Sequence, residues 1–189
     1  VSAFLLSFAV IFVAELGDKS QLMAMTFATR YRFWTVLGAI TAATAVVHLF
    51  SVALGSIVGV ALPLRAINIL AAVAFIGFGL WTLRGDELSD EEEARAERTS
   101  RSAFFAVAIA FFLAELGDKT MLATVTLATT EGWFGTWVGS TVGMVAADAL
   151  AIGVGAVLGK HLPEKTIKIG AATLFFVFGA WLLIEGIRG

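Results

Sequence analysis

Glu15-Leu16-Gly17-Asp18-Lys19-Ser20 recurs one hundred positions later as Glu115-Leu116-Gly117-Asp118-Lys119-Thr120, each time inside a long apolar stretch. An ionised side chain at the centre of a bilayer costs about 2.5–3.5 kcal/mol on insertion scales, and charges kept at that depth generally mark ion or proton pathways. Six such charges, carried in duplicate, are too expensive to be structural decoration. The repeat reaches well beyond the motif. Phe4, Phe12, Thr26 and Thr29 match Phe104, Phe112, Thr126 and Thr129, and Gly55, Gly59, Leu62-Pro63 and Trp81 match Gly155, Gly159, Leu162-Pro163 and Trp181. The chain is two copies of one unit.

Composition fixes the solvent of that unit. Of 189 residues, 59% are hydrophobic and 15% charged, and mean hydropathy is +0.90, values that leave little polar surface for a water-soluble fold. The net charge of −2 says little, because the charges are clustered. Absence of cysteine excludes disulfides, thiolate metal sites and thiol catalysis. The chain opens on Val1, so an upstream segment is compatible with it; its first apolar stretch is too long for a signal peptide and holds the motif.

Apolar stretches cover 2–28, 34–59, 64–83, 102–129, 133–159 and 165–187, each about the 20 residues that cross a hydrocarbon core. The expectation is an all-α membrane protein of six transmembrane helices. Residues 1–83 form a first three-helix repeat, 84–101 an acidic cytoplasmic linker, and 102–189 a second three-helix repeat. Three spans per copy is odd, so the second copy enters the membrane from the other side and the repeats are inverted, with a substrate site where they meet. Pro63 and Pro163 precede the third and sixth spans, where a missing N–H costs least. Trp34, Trp81, Trp133, Trp137 and Trp181 lie near span ends, as an aromatic belt does. Arg30, Arg32, Arg84, Arg95, Arg98, Arg101, Lys160, Lys165 and Lys168 fall on one side, and only Arg65 and Arg188 on the other. The positive-inside rule makes the first side cytoplasmic and both termini extracytoplasmic. In the linker, Ser89 and Glu92 read as a capping box opening a short helix, and Asp90-Glu91-Glu92-Glu93 as a solvated charge run without a site.

On one continuous helix Glu15 and Asp18 share a face, and Lys19, four residues after Glu15, reaches the same carboxylate. The face continues through Leu22, Thr26 and Thr29, and inversion sets both motifs at one depth. Four carboxylates and two ammonium groups sum to −2, which one divalent cation or two protons neutralise. Oxygens of Glu15, Asp18, Ser20, Glu115, Asp118 and Thr120 suit hard cations such as Mg²⁺, Ca²⁺ and Mn²⁺, and crowded carboxylates also hold protons. A site that takes either metal or protons is the core of an antiporter. Lys19 and Lys119 are the charge-coupling groups, and Gly17 and Gly117 permit a kink that frees carbonyls for coordination. The competing structural reading makes Glu15–Lys19 and Glu115–Lys119 buried i,i+4 pairs, which are poor stabilisers.

His48 and Asp148 correspond mid-span in the second helix of each copy. Asp148 is a further candidate metal ligand. His48 is a candidate proton relay, against the plainer reading of a hydrogen-bonded packing residue. Met23, Met25 and Met121 near the motif read as core filling. Gly55-x-x-x-Gly59, Gly139-x-x-x-Gly143 and Gly155-x-x-x-Gly159 report close helix packing, within one chain or in a homodimer.

A duplicated Glu-x-Gly-Asp-(Lys/Arg)-(Ser/Thr) in two three-helix units with an acidic central loop resembles the Golgi, chloroplast and bacterial cation/proton exchangers, whose bacterial members include MneA-type manganese exporters. The resemblance covers essentially the whole chain. It implies Mn²⁺ and Ca²⁺ as substrates, proton antiport, and site roles for Glu15, Asp18, Lys19, Ser20, Glu115, Asp118, Lys119 and Thr120. It carries no role for His48 or Asp148. The expected protein is a bacterial plasma-membrane antiporter exporting Mn²⁺. Its partners are a divalent metal ion, protons and lipid, with no resident cofactor and no nucleic acid. A divalent-cation channel or uniporter is the alternative, opposed by the lysines in the site. An intramembrane enzyme lacks a Cys, a His pair, or a serine set against a base.

Overall fold

The computed structural model describes residues 2–61, 63–84, 103–158 and 164–188. The linker with its Ser89–Glu92 capping box, and Gly159, lie outside the described residues. Every regular element among the described residues is helical. The first copy holds α1 (Ser2–Glu15), α2 (Lys19–Arg30), α3 (Phe33–Ala61) and α4 (Leu64–Arg84). The second holds α5 (Ala103–Glu115), α6 (Lys119–Ala128), α7 (Trp133–Leu158) and α8 (Glu164–Arg188). Two of them, α3 and α7, are by themselves long and apolar enough to cross a membrane among the described residues. One expectation needs correcting at once: the first and fourth apolar stretches are not single helices, because each breaks in two at its motif.

Large apolar side chains cover the outside, while polar groups are buried among the apolar core. Ile57, Leu70, Val73, Phe105, Ile109 and Val177 are exposed, whereas Thr44, His48, Ser51, Ser140 and Asp148 are fully buried. In water that distribution is unfavourable; against lipid it is the expected one.

Small residues let the two copies interlock. Gly135, Gly139 and Gly143 on α7 face the α1 backbone at Ala3, Phe4 and Phe8, and a Cβ on Gly143 would lie 2.6 Å from the Phe8 carbonyl oxygen. Reciprocally, Gly55 and Gly59 on α3 face Val125 and Thr129, at the end of α6. Each copy's broken helix therefore lies on the other copy's long helix. The glycine spacings at 55–59 and 139–143 are used within the chain, as one of the two sequence-based readings has it.

Equivalent helices run antiparallel. Gly79 meets Phe176, Gly179 meets Ile76, and Gly186 meets Ile69, so numbers rise along α8 as they fall along α4. The same holds for α3 and α7, where Thr44 donates to Met144 Sδ at 3.4 Å and Thr141 contacts His48 Nδ1 at 3.4 Å. Thr44 and Met144 are the same position in the two copies, as are Phe75 and Phe175, whose rings lie 5.9 Å apart. A residue touching its own equivalent marks the axis that relates the copies. Trp34, Trp133 and Trp181 are exposed, as a belt requires, but Trp137 turns inward and its Nε1–H donates to the Ala45 carbonyl at 2.8 Å.

Candidate functional site

Glycine makes the break. Gly17 and Gly117 have φ of 76° and 79°, the left-handed region that a side chain resists. α1 and α5 consequently end at Glu15 and Glu115, and the chain turns before α2 and α6 start. Asp18 and Asp118 stand at the N-cap positions in extended conformation, yet their carboxylates do not cap. They are turned to other partners. The breaks bring two half-helix C-termini and two N-termini to the motifs, the arrangement by which discontinuous helices present backbone dipoles to ions.

Those partners cross between the copies. Lys119 is ion-paired with Asp18, and Lys19 lies 3.8 Å from Asp118. On a continuous helix Lys19 would turn back towards Glu15; the break resets its direction and sends it across the axis. The break also rotates the face expected of α2. Its buried side is Ser20, Gln21, Met23, Ala24 and Phe27. Thr26 instead bonds back to the Leu22 carbonyl at 2.9 Å, and the exposed Thr29 to the Thr26 carbonyl at 2.7 Å.

Glu15 and Glu115 close the same cluster. Ser20 Oγ donates to Glu15 Oε1, and to Asp18 Oδ2 at 3.2 Å. Thr120 Oγ1 donates to Glu115 Oε2 at 2.9 Å. A serine is thus set against a carboxylate after all, but its threonine twin makes these hydroxyls paired caps on acids. Glu15 Oε2 and Glu115 Oε1 are buried without a hydrogen-bond partner. Glu15 feels the charges of Glu115, Asp18, Asp148 and Lys119, and Glu115 those of Asp118, Asp18 and Asp148. Asp148 thereby joins the cluster, with both carboxylate oxygens buried and unpartnered. His48 instead contacts Thr141 across α3 and α7.

Among the described residues no three acidic or imidazole groups converge closely enough to hold one ion as they stand. Gln21, which the sequence reading passed over, accepts from Gly17 N–H at 2.8 Å and donates to the Ala147 carbonyl at 3.0 Å. Its signal was available as the one polar side chain four residues after the glycine, matched by Met121 in the second copy.

Two broken helices exchanging lysine–aspartate pairs inside a buried acid cluster belong to an ion transporter, and comparison with known proteins agrees. Residues 3–90 and 103–189 match the family described as "Divalent cation/proton antiporter GDT1". The chain belongs to the GDT1 family. Among its relatives, a protein of Vibrio cholerae named "Putative manganese exporter" is 33% identical over 180 residues, covering 94% of this chain and 88% of that protein. A GDT1-like protein of Synechocystis is 31% identical over 197 residues, covering 94% and 95% of the two chains. The chloroplastic GDT1-like protein 2 of Oryza sativa is 30% identical over 206 residues, and the match spans 94% of this chain but 59% of the rice protein. No solved structure matches. This GDT1 protein is accordingly an integral membrane transporter exchanging a divalent cation for protons, and not an enzyme.

Proposed function

We propose that this GDT1 protein exports Mn²⁺, with Ca²⁺ as a second substrate, from a bacterial cytoplasm in exchange for entering protons. One site, built from both motifs, serves both ions. The observation that carries this reading is the crossed pairing of Lys119 with Asp18 and Lys19 with Asp118 inside a cluster where one oxygen each of Glu15 and Glu115, and both of Asp148, are buried without hydrogen-bond partners. With Asp148 included, five carboxylates face two ammonium groups, a formal −3, so a divalent cation and one proton together neutralise the cluster. The incoming cation displaces the lysines from Asp18 and Asp118 and takes oxygens of Glu15, Glu115, Ser20, Thr120 and Asp148. Protons then take the carboxylates and release it. Oxygen donors favour a hard cation, and the name of the Vibrio relative favours manganese.

The topology we propose is six spans in two inverted repeats, with α1 and α2 together forming the first span and α5 and α6 the fourth. It places residues 84–101 in the cytoplasm and both termini outside. Antiparallel packing of α4 on α8 and of α3 on α7 supports it. A cavity of about 220 Å³ lies at the end of the bundle assigned outward, lined by Leu6, Asn68, Thr130, Glu131 and Glu185.

Purified protein in liposomes holding an Mn²⁺ indicator tests the reading. With an acid lumen and clamped voltage, Mn²⁺ is expected to accumulate against its gradient, and added Mn²⁺ to drive protons the other way. Mn²⁺ moving only down its own gradient, indifferent to collapse of the pH difference, makes the protein a uniporter or channel.

A further inference from the structure

The two breaks are held unequally. Gln21, only 4% exposed, binds Gly17 N–H through Oε1 and the Ala147 carbonyl through Nε2. One carboxamide therefore joins the left-handed break, the first turn of α2 and the α7 backbone beside Asp148. In the second copy Gly117 N–H meets Met121 Sδ at 3.1 Å. A thioether accepts weakly and donates nothing, so Met121 cannot extend a bond onto α3. The equivalent α3 carbonyl, on Val47, takes the Ser51 hydroxyl at 2.9 Å instead.

The two ion pairs, each tying one break to the other, also differ in burial. Asp18, at the first break, holds a Lys119 that is 3% exposed, whereas Asp118, at the second, holds a Lys19 that is 19% exposed and 3.8 Å away. Leu116 and Gly117 are exposed, while Leu16 and Gly17 are half-buried. Moving the first break means breaking two amide hydrogen bonds, of which the one to Ala147 is fully buried. At the second break the corresponding contact is one weak thioether acceptor, Met121, on an exposed Gly117 N–H.

We propose that Gln21 is a positioning residue that fixes the first break on α7, and that the second break, at Gly117, is the element that moves in each exchange cycle. Asp18 and Asp148 then stay at a set separation, while Glu115 and Asp118 swing to admit and release the cation. The kinetic consequence rests on the exchange function proposed above; the inequality of the breaks does not.

Backbone hydrogen exchange of the full chain in nanodiscs, read at Gly17 and Gly117, tests the inequality directly. Exchange at Gly117 is expected to be at least about tenfold faster, and the double swap Gln21→Met with Met121→Gln to reverse the order. Mn²⁺-driven proton flux in liposomes tests the consequence. Gln21→Met is expected to raise KM for Mn²⁺ about tenfold with kcat within about twofold, and Met121→Gln to lower kcat about tenfold with KM nearly unchanged. Gln21→Glu, which keeps the acceptor and loses the donor to Ala147, covers the case in which Gln21→Met does not fold, and raises KM likewise. Equal exchange at the two glycines, or variants that leave both kinetic constants unchanged, overturns the proposal. Unequal exchange in a protein that shows no proton coupling sinks the transport reading and leaves the unequal breaks standing.

Discussion

Lys119 of the second copy is ion-paired with Asp18 of the first, the two side chains 3% and 0% exposed. The pair makes each copy the counter-charge of the other, since Lys19 answers Asp118 across the same axis. The lysine of each copy thus meets the aspartate of the other. That explains, in physical terms, why the charges come in duplicate.

Breaking a buried pair from one side leaves an uncompensated charge and costs about 3–5 kcal/mol, whereas a solvated pair contributes about 0–1 kcal/mol. Lys119→Gln is therefore expected to lower the thermal unfolding midpoint in detergent clearly more than Lys19→Gln does. Asp18→Asn added to Lys119→Gln restores much of the stability, because no lone charge remains, and leaves transport abolished. Equal losses for the two lysines contradict the burial difference on which this rests.

Glu15 and Glu115 each present a buried, unpartnered oxygen to the same cluster. If one site is built from both copies, Glu15→Gln and Glu115→Gln each abolish Mn²⁺-driven proton movement in liposomes. Single variants each retaining about half the wild-type rate would mean two independent sites, and the charge arithmetic of a shared one would fail.

Much of this was legible in the sequence because the duplication fixes register. The all-helical character and the burial of Glu15, Asp18, Glu115 and Asp118 follow from residue type at known spacing. The partner of each lysine does not follow. It depends on Gly17 and Gly117 adopting positive φ, and a glycine in an apolar run is equally compatible with an unbroken helix. Once the break is present the phase of α2 shifts, which is why Thr29 ends exposed and Gln21 buried. Trp137 misleads for a related reason. Its place near a span end fits a belt, but small residues on α3 open a way to the Ala45 carbonyl.

The break can be tested by backbone cost alone. A Cβ on Gly117 meets nothing within 4 Å, so Gly117→Ala is resisted only by its φ of +79°, a penalty of about 1–2 kcal/mol. Gly77 also has nothing within 4 Å but lies inside α4, where alanine is favoured over glycine by about 0.5–1 kcal/mol. Gly117→Ala is expected to destabilise and Gly77→Ala to be neutral or stabilising, measured by unfolding under identical conditions. Two neutral results mean that α5 and α6 are continuous.

Arg32 and Gly132 occupy the same position in the two copies and are both exposed. The inverted topology proposed above sets them on opposite faces of the membrane. The chain has no cysteine, so Arg32→Cys and Gly132→Cys each introduce one label site without background. An impermeant maleimide added to intact cells is expected to modify the cysteine at 132 and to reach that at 32 only after lysis. Labelling of both from one side excludes inversion.

Asp148 and His48 separate function from packing at equivalent positions. Asp148 has two buried oxygens without partners and sits within charge range of Glu15 and Glu115. His48 is equally buried, but its hydrogen-bonding contact is with Thr141. A buried carboxylate without a counter-ion destabilises the fold, so replacing it by a neutral isostere is expected to help stability even as it removes function. Asp148→Asn should therefore raise or preserve the unfolding midpoint and reduce Mn²⁺-driven proton flux by more than about tenfold. His48→Gln keeps a hydrogen-bonding group of similar reach against Thr141 and should leave flux within about twofold. Midpoint and flux measured on the same preparations distinguish a functional carboxylate from a structural one. A fall in both for Asp148→Asn makes Asp148 part of the scaffold. A silent Asp148→Asn beside an inactive His48→Gln moves the proton-handling role from the second copy to the first.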